Sequence, residues 1–189
     1  MLTAKVINHY FGKLFKSLYF FNLNVNKNNQ SFYISNRALQ FSQYCMMEET
    51  DLKKFIDAQA ATYNTALSEV KNGRKRSHWM WFIFPQLQGL GFSETAQYYA
   101  IKNLREAEAY LKHPVLGSRL IEICNQLLQL PSNNATTILG SPDDLKLNSS
   151  MTLFSLLETD PVFQLVLDKY FNGKKDEKTL QILKRQSGN

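Results

Sequence analysis

Six consecutive apolar residues, Trp79 to Phe84, closed by Pro85, constrain this chain more than any other stretch. Read with a helical or a strand period, the run shows no polar face. It is therefore buried whichever backbone it adopts, and the pattern alone leaves a core helix and a core strand both open. Burying it takes a sizeable core. A chain of 189 residues, 44% hydrophobic and 20% charged, can supply one as a single globular domain. The run falls far short of the roughly 20 apolar residues a membrane helix needs. Two cysteines cannot build a disulfide scaffold. The expectation is a soluble, cytoplasmic protein with no membrane contact.

The basic balance, +6 overall, invites a nucleic-acid reading, but its position argues against one. Residues 1–46 carry five basic residues (Lys5, Lys13, Lys16, Lys27 and Arg37) and no acidic one, so residues 47–189 sit at +1. Only Arg74-Lys75-Arg76 and Lys174-Lys175 cluster, too little for a grip on a phosphate backbone. The first 46 residues also hold ten of the 24 aromatics and seven asparagines. Three readings compete for this segment: a targeting peptide, a functional extension, or translated upstream sequence with the true start at Met46 or Met47. The last would remove Cys45 and leave Cys124 as the thiol. The expected organisation is an extension over 1–46 and a domain over 47–189.

After Thr50, an N-cap candidate with Asp51 in the first turn, the pattern turns helical. Leu52, Phe55, Ile56, Gln59, Tyr63, Ala66, Leu67 and Val70 recur at steps of three or four, and Asn72-Gly73 stops the run. Gln86 to Phe92 reads as a loop. Ser93 caps a helix through Asn103 that continues over Leu104 to Lys112; His113-Pro114 breaks it before another through Leu128. Pro131 to Asn134 is a loop, and Asp143 caps the next helix. Asp160-Pro161 starts one that ends at Asn172-Gly173, and a tail helix follows Asp176. This predicts an all-α, single compact multi-helix domain.

No P-loop, HExxH, CxxC or GxSxG signature is present, and His9, His78 and His113 lack metal-ligand spacing, so neither cofactor nor metal is expected. The helix from Asp143 is more informative. Leu147, Met151, Leu153, Phe154 and Leu157 form one broad face, with Asp143, Lys146 and Ser150 inside it and Asn148, Thr152 and Ser155 opposite. A lysine aimed into an apolar face costs several kcal/mol unless paired, and Asp143, three residues away, is its natural partner. The three residues are either a structural network or a cleft receiving an anion. A second candidate is Arg76, Ser77 and His78 beside Trp79 and Trp81, where cations and aromatics can hold a flat or phosphorylated ligand. The bland alternative makes the tryptophans core and the polar residues solvated.

The stretches Gly73 to Leu87 (GRKRSHWMWFIFPQL), Ala96 to Ile101, Tyr110 to Gly117 and Gly140 to Phe154 (GSPDDLKLNSSMTLF) resemble the signature blocks of the domain-of-unknown-function 1810 family. Asp160-Pro161-Val162-Phe163 and Asp176 to Leu183 match as well, so the resemblance spans about residues 51–184. It implies a compact, mainly α-helical domain found widely in bacteria, with no assigned reaction, starting near residue 50 of this chain. Both candidate sites fall inside its blocks. The expected function is a site for a small anionic or nucleotide-like ligand. Arg76, His78 and Lys146 would meet charge and Trp79 or Trp81 would stack. Ser77, Asp143, Asp144 and Ser150 would orient the ligand, and in a hydrolase or transferase version His78 or Asp144 would act as general base. The alternative is a non-catalytic protein-interaction module.

Overall fold

The computed structural model describes residues 52–188. The readings placed on residues 1–46, on Cys45 and on the Thr50–Asp51 cap lie outside the described residues. Among those described, nine helices account for the regular structure and no sheet forms, so the fold is all-α. They are α1 (52–71), α2 (Met80–Ile83), α3 (Glu94–Tyr98), α4 (Leu104–Lys112), α5 (Leu116–Gln129), α6 (Ala135–Leu139), α7 (Asp143–Ser155), α8 (Val162–Phe171) and α9 (Glu177–Ser187). No helix among the described residues is long and apolar enough to cross a membrane.

Short polar side chains start α3, α4, α6 and α9 by accepting the first free backbone N–H groups. Ser93 accepts from Ala96, Asn103 from Glu106, Asn134 from Thr137 and Asp176 from Thr179. Each such cap is worth about 1 kcal/mol. Gly73 and Asn172, both at positive φ, end α1 and α8 as the sequence predicts.

The continuous helix expected from Ser93 to Lys112 is in fact two. Between them Ile101 forms an isolated parallel bridge to Leu87, with Gln88 N donating to Ile101 O at 2.8 Å and Ile101 N to Gln86 O at 2.9 Å. That pairing pulls the backbone out of helical geometry, and Asn103 starts the chain again. Helix α6, over residues to which the sequence pattern assigned no element, is launched by the Asn134 cap at the end of the expected loop.

The Trp79–Phe84 run resolves as one helical turn, α2, whose Met80, Phe82 and Ile83 are buried with Trp79 and Phe84, while Trp81, expected to be buried with them, faces outward and stays partly exposed. Phe82 O accepts from Gln59 Nε2 of α1 at 2.8 Å and from Tyr110 Oη of α4 at 3.1 Å, which satisfies a carbonyl that water does not reach. Helix α7 is the centre of the domain, packed by α4, α6, α8 and α9. Its expected polar side is therefore not exposed: Thr152 is fully buried, and its Oγ1 accepts from Asp176 N at 2.8 Å. Periodicity assigns residues to faces but does not count the neighbours that close on them. Where α4 meets α5, a Cβ on Gly117 would lie 1.9 Å from Leu111 O, so only glycine fits that corner.

Candidate functional site

Residues 74–79 leave α1 as an irregular segment whose burial alternates: Arg74, Arg76 and His78 are exposed, while Lys75, Ser77 and Trp79 turn inward. Lys75 N donates to Ile138 O at 2.7 Å and ties the segment to α6. Glu69 of α1 holds the inner side. Its Oε2 accepts from Arg76 N at 2.8 Å, Ser77 N at 3.1 Å and Trp79 Nε1 at 2.8 Å, and its Oε1 accepts from Ser77 Oγ at 2.7 Å. Burial alone would raise its pKa; these hydrogen bonds outweigh it and pull the carboxyl down to about 2.

The inward turn carries Lys75 to the start of α7. Its Nζ lies 2.7 Å from Asp143 Oδ2, and Lys146 Nζ lies 2.7 Å from Asp143 Oδ1. The three side chains are only 9%, 15% and 19% exposed for Lys75, Asp143 and Lys146. One carboxylate thus serves two ammonium groups withdrawn from most of the water, and one positive charge is left over. Burial pushes the Asp143 carboxyl upward, but hydrogen bonds from Lys146 and Lys75 hold it below the usual carboxylate range. Each ammonium also faces an indole: Lys75 Nζ is 5.2 Å from the Trp79 ring and Lys146 Nζ 4.4 Å from the Trp81 ring. The exposed His78 ring lies 6.5 Å from Trp81 at 29°.

The two signature blocks are therefore in direct contact, through Lys75–Asp143 and Lys146–Trp81. The candidate residues fare differently within that junction. Trp79 is fully buried with its indole N–H on Glu69, so it is core and offers no face to a ligand. Ser77 is committed to Glu69. Asp143 does not cap α7; its carboxylate goes to the lysines. Asp144 accepts instead from Leu145 N at 2.8 Å and from Thr136 Oγ1 at 2.5 Å, one bond to each oxygen. No carboxylate among the described residues bonds to His78. Arg76 lies on the opposite side of the segment from the lysines. Ser150 is fully buried, and its Oγ has no partner among the described residues. Being one turn after Lys146, it shares the lysine's face of α7.

Sequence reasoning passed over Lys75 and Glu69. The alternation along 74–79 is the signal that could have separated Lys75 from its neighbours. Glu69 carried none, because its partners are seven to ten residues away on a non-helical segment. Among the described residues, no three His, Cys, Asp or Glu side chains gather as a metal centre would require.

The family model described as a protein of unknown function (DUF1810) matches residues 49–183. The chain belongs to this family. A solved structure similar to this one is that of a conserved hypothetical protein, Rv1873, from Mycobacterium tuberculosis: 47% identical, with a TM-score of 0.70, covering 71% of this chain and 96% of that one. No curated protein matches the chain. The DUF1810 match takes in both α1, with its Glu69 hub, and α7, with its Asp143–Lys146 pair.

Proposed function

We propose that the domain binds a small ligand through an anionic group, phosphate or carboxylate, at the Lys75–Asp143–Lys146 cluster. The observation that carries this reading is the unbalanced charge. Two lysines largely removed from water share one carboxylate, and an anion completing the cluster would relieve a desolvation cost that a single acid leaves standing. Lys146 and the partly exposed Trp81 and His78 would form its outer edge, with the unpartnered Ser150 hydroxyl beneath. The reading is one of binding; His78 and Asp144 have no assigned catalytic role in it. A nucleotide-like ligand would have to displace Lys146 to stack on the Trp81 face that it covers.

The test is a thermal-shift and calorimetric screen of the full chain against inorganic phosphate, pyrophosphate, nucleotides and short carboxylates, beside Lys146→Met, which keeps the apolar stem. Selective binding raises the melting temperature of the native chain, and Lys146→Met should abolish the shift. Absence of any binding among these anions would sink the reading. A protein-interaction module would then stand first, supported by Phe92 and Tyr98, exposed to 87% and 60%.

A further inference from the structure

The alternation of Arg74-Lys75-Arg76 gives this tripeptide two sides. Lys75 enters the cluster above, while Arg74 and Arg76 border an open groove of about 730 Å³ along the outer flank of α1. Asn64, Thr65, Ser68 and Asn72, one to two turns apart on that helix, form its wall, and Glu69 is its acid. Neither guanidinium has an ion-pair or side-chain hydrogen-bond partner among the described residues. Glu69 stays ionised, with both its oxygens taken up by neutral donors of residues 76–79, so the lining carries two positive charges against one negative and keeps a net charge of +1.

We propose that this groove is a second binding site, for a hydroxyl-rich phosphorylated small molecule of the sugar phosphate class. The guanidinium fork matches two phosphate oxygens at once, which makes an unpaired Arg pair a phosphate site rather than a site for a lone carboxyl. The wall offers hydroxyl and amide groups, suited to a polyol. None of the lining residues is aromatic or aliphatic, so a nucleobase would find no platform. The volume falls within the range of small-molecule sites. The site is independent of the lysine cluster, since neither Lys75 nor Lys146 borders it.

Calorimetric titration of the full-length Lys146→Met chain, in which the lysine cluster no longer takes anions, with ribose 5-phosphate and glucose 6-phosphate, beside ribose and inorganic phosphate, tests this, with the parent chain run in parallel. At least one sugar phosphate should bind at least tenfold more tightly than either fragment. The surface double variant Arg74→Gln/Arg76→Gln should weaken it tenfold or more at an unchanged melting temperature, and Lys146→Met should leave it unaltered. Failure of both sugar phosphates to bind overturns the proposal. So does inorganic phosphate binding equally well, or insensitivity to the double arginine variant. Loss of binding in Lys146→Met would place the ligand at the lysine cluster and overturn the groove, whereas failure at the lysine cluster alone leaves the groove standing.

Discussion

Two carboxylates organise the same segment by opposite arrangements. Glu69 receives four hydrogen bonds, three of them from uncharged backbone or hydroxyl groups and one from an indole, and both its oxygens are taken. Asp143 receives two lysines and is outnumbered by them. The first is a saturated hub that fixes a loop. The second is an under-compensated cluster that an added anion would complete. The lesson is that charge left over, more than the number of polar contacts, separates a site from a scaffold.

The sharpest way to break this contrast is Glu69→Ala. It strands the Trp79 indole N–H and two backbone N–H groups, and should cost about 3 kcal/mol in urea-induced unfolding. A loss below 1 kcal/mol would mean that the hub is not structural. Asp143→Asn should cost about 2 kcal/mol, because it leaves two lysines facing a neutral amide. The same change raises the local charge, so stabilisation by phosphate should grow rather than vanish; a smaller phosphate shift than in the parent chain would count against the anion reading.

Acid offers a third comparison. Both carboxyls have folded pKa values below their ordinary ones, so their contributions are complete above the unfolded values near 4.5 and 3.8. They fade as pH falls toward the folded values, about 2 for Glu69. With allowance for solvent at a partly exposed group, Glu69 should account for about 1–2 kcal/mol of the acid limb. Glu69→Gln should flatten stability between pH 4.5 and 2, as followed by unfolding at fixed urea. The smallest effect belongs to Lys146→Met: below about 1 kcal/mol of stability, since it removes the surplus charge and keeps the stem, while anion binding is lost. A large destabilisation would make Lys146 structural.

What could be read in the residues was local. The Asp143–Lys146 pair is three residues apart on one helix, Asp176 caps by its own side chain, and Gly73 and Asn172 stop helices through their own φ. Each is decided within a turn of chain. The break at residues 99–103 depends on Ile101 meeting Leu87, the burial of Thr152 on the arrival of α9, and the inward turn of Lys75 on Asp143, 68 positions later in the numbering. These are decided by partners distant in sequence, which a propensity or a periodicity does not contain. Trp79 and Trp81 show the same limit: two residues apart in one run, one is sealed in the core and the other reaches the edge of the lysine cluster.

The glycine at the α4–α5 corner has a mechanical consequence. Because Gly117 brings the backbone of α5 against the Leu111 carbonyl, the angle between these helices is set by main chain on main chain, and a side-chain rotamer cannot relax it. The corner is a stiff elbow. Any yielding that admits a ligand must then be taken up away from this corner.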